Sequence, residues 1–63
     1  MDIFELLLRK IEQEREPYVT TLSSGQARDY ADYKHVCGVL RGLNLADEII
    51  RDLAKRSKEN ADE

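Results

Sequence analysis

His35 and Cys37 are the residues of this 63-residue chain best equipped for chemistry, and each is the single member of its kind. A metal site or a nucleophile–base pair would need both on one face. Two positions apart on a helix, they point about 200° from each other and cannot share a metal ion or a proton. No second histidine or cysteine is present to complete a zinc set. Cys37 therefore reads as a small core residue and His35 as a surface residue. Ser23 and Ser24 fall where an apolar segment ends, the ordinary place for a helix-terminating serine, with no base expected nearby. Glu12, Glu14 and Glu16 read as a solvated face rather than an acid–base pair. No glycine pattern follows a strand, so no phosphate-cradling loop is expected. The expectation is a chain with no catalytic residues, no metal and no cofactor, hence not an enzyme.

Tyr18, Tyr30 and Tyr33 offer a different kind of chemistry. One use packs their rings against Pro17 and Leu22 while the hydroxyls reach water. The other is an aromatic anchor for a partner, a role in which tyrosine is enriched.

Composition narrows the partners. Charged residues make up 37% of the chain, the net charge is −3, and acids and bases are interspersed. A nucleic-acid binder would carry a basic stripe to neutralise phosphates. Lys34, Arg41 and Arg51 form no such stripe, and acids lie among them, which argues against nucleic acid. The apolar run at Ile3-Phe4 and Leu6-Leu7-Leu8 is interrupted by Glu5 and closed by Arg9. That is the wrong charge order for a signal peptide and too short for a membrane span of ~20 apolar residues. A reduced, cytoplasmic setting without membrane contact is expected.

The elements that hold these residues are helical. Asp2 caps a first helix, with Glu5 three residues on as in a capping box. Phe4, Leu7 or Leu8, Ile11, Tyr18 and Leu22 recur at helical spacing. Pro17 removes one backbone donor and predicts a kink, or a short break with restart, near Glu16. Ser23-Ser24-Gly25 ends the helix, Gly25 suiting the left-handed conformation.

A long second helix is expected from about Gln26 to Lys58, with Arg28–Asp32, Asp47–Arg51 and Asp52–Arg56 pairs along its outside. Residues 1–58 form one helical hairpin domain and 59–63 a polar tail. The alternative is a three-helix chain broken at Gly42-Leu43-Asn44, since glycines inside a helix cost roughly 1 kcal/mol each relative to Ala. The stripe of apolar residues continues through that point without changing phase, which favours the unbroken helix.

With a short loop the helices run antiparallel, and residues whose numbers sum to about 49 are expected to lie opposite each other. On that register the first helix runs out before Ile49, Ile50, Leu53 and Ala54, leaving an apolar overhang of about two turns. A second surplus is angular. Gly38, Gly42 and Ala46 share one flank with Leu45 and Ile49 beside them, and glycines four apart let helix backbones approach closely. Those glycines serve either the first helix or another chain. The candidate interface is Gly38, Gly42, Leu45, Ala46, Ile49, Ile50 and Leu53, with Tyr30 and Tyr33.

So short a chain has a core contributing about 3–5 kcal/mol net and usually needs a staple. One cysteine closes no intrachain disulfide. Association remains, with a second copy in a four-helix arrangement or with a larger protein.

The stretch Ser24-Gly25-Gln26-Ala27-Arg28-Asp29-Tyr30-Ala31-Asp32-Tyr33, followed by Gly38-Val39-Leu40-Arg41-Gly42-Leu43 and Ala46, resembles short uncharacterised proteins encoded by tailed bacteriophages. The resemblance spans about half the chain. It implies a phage origin and a place in virion assembly near the head or its connector. The partner is then a further copy, or a larger phage or host protein, and the setting the host cytoplasm or the virion. An early regulator that binds and redirects a host enzyme is the alternative. No catalytic or ligand-binding residues come with the resemblance.

Overall fold

The structure is a computed structural model describing residues 2–61, with side chains through Glu59. It is all-helical, a hairpin of α1 (Ile3–Ser23) and α2 (Tyr30–Ala61).

Local chemistry sets each helix end. The Asp2 carboxylate accepts the Glu5 N–H at 2.8 Å, satisfying one of the orphan donors of the first turn. At the far end the Gln26 N–H donates to the Thr21 carbonyl at 3.0 Å and the Gly25 N–H to the Leu22 carbonyl at 3.3 Å. This paired closure places Gly25 at φ +69°, a conformation that favours a residue without Cβ.

The helix passes through Pro17 without the break expected near Glu16. One backbone donor is lost there. The Thr21 hydroxyl donates to the Pro17 carbonyl at 2.9 Å in the following turn.

α2 starts four residues later than Gln26, because Asp29 caps it. The Asp29 carboxylate accepts the Asp32 N–H at 2.8 Å, while the Asp32 carboxylate reaches back to the Arg28 N–H at 3.0 Å. The expected Arg28–Asp32 pair on the helix surface is thus replaced by a reciprocal cap. The other two expected pairs form, Arg51 Nε to Asp47 at 2.6 Å and Arg56 Nε to Asp52 at 3.1 Å.

The helix is continuous through Gly42-Leu43-Asn44, so the three-helix alternative is incorrect. An unbroken apolar seam against α1 outweighs the cost of two interior glycines. α2 also runs past Lys58 to Ala61, where residues 59–63 were expected to form a tail. Lys58 in its last turn favours the helix dipole. Asp62 and Glu63 of that tail lie outside the described residues.

The register differs most from expectation. Arg15 Nη1 donates to Asn44 Oδ1 at 3.1 Å. Ile3 and Phe4 line one cleft with Ala54, Lys55, Ser57 and Lys58. Residues whose numbers sum to about 58 or 59, not 49, therefore lie level. The reason is the connection: Ser24–Asp29 is spent on closing one helix and capping the next, and the first turn of α2 projects beyond the end of α1. Each α1 residue consequently meets a residue about nine positions further along α2, ~14 Å at 1.5 Å per residue.

Packing follows that seam. Phe4, Leu8, Ile11, Tyr18 and Leu22 from α1 are half-buried, as are Leu40, Leu43, Ile50 and Ala54 from α2. Among the described residues only Val36, level with Leu22, is buried, at 5% exposure. The hairpin is 52 Å long and 12 Å across its thinnest dimension, with a radius of gyration of 15.1 Å. A compact chain of this length would have about 11 Å.

Candidate interaction surface

The new register changes which side chains are surplus. Ile50 and Ala54 have α1 beside them, so the overhang expected at Ile49, Ile50, Leu53 and Ala54 does not exist. Ile49 and Leu53 are nevertheless each 51% exposed, and Leu45 is 57% exposed. They are open because they point away from α1, not because α1 has ended.

The glycines belong to the same open side. A Cβ built on Gly38 or Gly42 meets no atom within 4 Å. Neither glycine admits α1 or a bulky intrachain neighbour, which removes the intrachain explanation for them. At about 100° per residue, Gly38, Gly42, Leu45 and Ile49 fall within about 60° of one another on the back of α2. Leu53 and Ala46 continue the strip toward the seam with α1.

α1 contributes to this side as well, which the sequence reading missed. Ile3 is 60% and Leu7 41% exposed. In an antiparallel pair the anticlockwise flanks of both helices, each viewed from its own N-terminus, emerge on the same side. Ile3 and Leu7 lie on that flank of α1, and Gly42, Ile49 and Leu53 on that flank of α2. By the observed register Leu53 sits at a height between Ile3 and Leu7. The result is one apolar side near the open end of the hairpin, continuing along the back of α2. Exposure alone on α1 would not have been readable from periodicity, because Leu6, Leu7 and Leu8 are consecutive and only the seam decides which one is buried.

Tyr30 and Tyr33 do not join the patch. They lie near the connection and on the opposite flank, both exposed, with ring centroids 6.3 Å apart. Lys34 Nζ stands 6.0 Å from the Tyr30 ring centroid, a cation–π distance at an exposed site. The Tyr33 phenol is held above its ordinary value of 10.0, first by the neighbouring Cys37 thiol one turn on. The same flank carries the Arg15–Asn44 bridge and the acids Glu12, Glu16 and Glu48. This flank carries these polar groups together with exposed Val19, while the apolar surface on the other side is concentrated near the open end and along the back of α2.

Cys37 is a half-buried free thiol and His35 is exposed. Among the described residues no group of three or more His, Cys, Asp or Glu side chains is placed to hold a metal ion. No helix among them is long and apolar enough to cross a membrane.

The surface area reflects the narrow shape of the hairpin. A 7.3 kDa monomeric protein exposes about 4,200 Å² on the usual mass scaling. This chain exposes 5261 Å². The excess of about 1,100 Å² follows from the elongated 52 × 19 × 12 Å shape. Searches of protein-family models, curated proteins and solved structures return no match to this chain.

Proposed function

We propose that this chain is a non-enzymatic protein–protein interaction module that completes its own core by docking the apolar side of the hairpin on another polypeptide. The observation that carries the proposal is the pairing of a seam with one buried side chain among the described residues, Val36, with an exposed strip of Leu45, Ile49 and Leu53 beside Ile3 and Leu7. Burying side chains of this size is worth about 1.5–3 kcal/mol each when complete, of the same order as the net stability of so small a core. Association is therefore coupled to stability.

The resemblance of residues 24–46 to small phage-encoded chains supports a more specific role, a minor structural or assembly component of a phage particle. A narrow, double-sided helical hairpin suits such a role, since it adds a surface without needing a pocket. The absence of enzymatic activity is part of the proposal, and the divergence of His35 and Cys37 by about 200° around α2 supports it.

A photoreactive side chain at Leu45, with Gln13 on the far side of α1 as control, tests the reading in cells that make the protein. The expected result is one adduct of defined mass at position 45 and none at position 13. Equal or absent adducts at the two positions would overturn it. Recovery of the adduct in purified particles, rather than in soluble extract alone, is the result expected of the assembly role.

A further inference from the structure

We infer that the occupant of this face is a second copy of the chain, packed antiparallel back-to-back along α2 with its two-fold axis between Leu45 and Ala46. The inference rests on the interaction reading above and names its partner.

The first argument is steric. Around an axis between residues 45 and 46, positions 38 and 53 exchange places, as do 42 and 49. Gly42 then faces Ile49 of the partner copy, and Gly38 comes level with the partner's Leu53 across the width of the strip. Ile49 and Leu53 each come level with a glycine where nothing lies within 4 Å of a would-be Cβ, and Leu45 comes level with the small Ala46. Large is matched to small along the whole strip, and the symmetry repeats every match twice, as an isologous interface requires. A parallel pairing in register would instead set glycine on glycine and leucine on leucine, leaving gaps and clashes in alternation.

Charge supplies the second argument. Beside the strip, on the flank away from α1, run Lys34, Arg41, Glu48, Asp52 and Glu59, all exposed. Bases occupy the first half and acids the second. Antiparallel packing about the same axis brings Arg41 within about two residues (~3 Å) of level with the partner's Glu48, and Lys34 likewise with the partner's Glu59. A parallel partner would oppose like charges at every one of these positions.

On the other edge of the strip, Leu7 comes level with the partner's Val39. This extends the buried surface from α2 onto α1 and produces a four-helix arrangement. The apolar strip ends at His35 and Arg56, which stand opposite each other across the interface and limit its length.

The test is a charge exchange read by light scattering at low salt, where screening is weak. Arg41→Glu and Glu48→Arg each place like charges together twice in the symmetric dimer, while both positions are exposed and away from α1. Each single variant is expected to keep its helix content and to weaken dimerisation by about tenfold or more. Mixing the two single variants, or combining both changes in one chain, is expected to restore association to within about threefold of the original, since opposite charges again face each other. A dimer indifferent to the exchange would overturn the antiparallel arrangement. A folded protein that stays monomeric at every concentration would overturn the second copy as occupant. In that last case a photo-adduct at position 45 with a different protein keeps the interaction reading, and no adduct at all removes both.

Discussion

Replacing Gly42 separates folding from association, because the two should respond with opposite signs. In the hairpin Gly42 lies inside α2 with open space where a Cβ would stand. Substitution by Ala removes the backbone-entropy penalty of an interior glycine without a steric cost, stabilising the isolated helix by about 0.8–1.0 kcal/mol. For a domain of this size that corresponds to a rise of roughly 4–8 °C in Tm. Gly42→Leu keeps most of that gain in the isolated chain, since Leu is also a good helix former. At the interface, however, it places a four-carbon side chain where a close backbone approach and the partner's Ile49 are expected. Overpacking of that kind costs typically ~1–3 kcal/mol, and the symmetry applies it twice. Helix content by circular dichroism should therefore hold or rise in dilute solution for both variants. The associated fraction by light scattering should fall for Gly42→Leu. A loss of helix for Gly42→Ala in dilute solution would refute the reasoning, because it would mean that the glycine faces α1. Unchanged association for Gly42→Leu would refute the close contact.

Val36→Ala removes two carbon atoms from a side chain buried in the seam and is expected to cost about 1.5–2.5 kcal/mol in urea unfolding. Asp29→Ala deletes the cap of α2 and should cost about 1 kcal/mol with its effect concentrated in the amide protection of the first turn, measured by hydrogen exchange. The Tyr33 phenol should titrate above 10.0 by ultraviolet absorbance and move back toward that value in Cys37→Ala, which removes the first cause of the shift. The sign of the linkage is that the folded chain holds this proton more tightly than the unfolded one. Helix stability should accordingly decline as pH rises past about 10, and less so in Cys37→Ala.

Much of the fold was legible because it rests on local chemistry. The Asp2 cap, the termination at Gly25 and the two acid-first surface pairs are short-range patterns, and each forms as the sequence implies. Continuity through Asn44 followed from the phase of the apolar stripe. The register was not legible, since it depends on how many residues the connection consumes. Reading Arg28 and Asp32 as helix-surface partners hid the cap at Asp29 and placed the start of α2 too early. That misreading, together with the projection of the first turn of α2 beyond α1, displaced the pairing by about nine positions and produced an overhang at Ile50 and Ala54 that α1 in fact covers. The candidate surface survived for a different reason. Gly38, Gly42, Leu45 and Ile49 were placed by angle around one helix, which the register does not alter, whereas Ile3 and Leu7 required knowledge of the seam. Tyr30 and Tyr33 were grouped with them by residue type alone, and angle puts them on the other side.

The central claim is that this hairpin is incomplete by itself and finishes its core by association with a second copy. Thermal unfolding followed by circular dichroism over a hundredfold range of protein concentration, roughly 1 to 100 μM, addresses it most directly, since binding that favours the folded state makes the midpoint depend on concentration. A midpoint that climbs with concentration, and that stops climbing in Ile49→Asp, is the predicted result. A cooperative transition at the same temperature throughout, in both proteins, would contradict it.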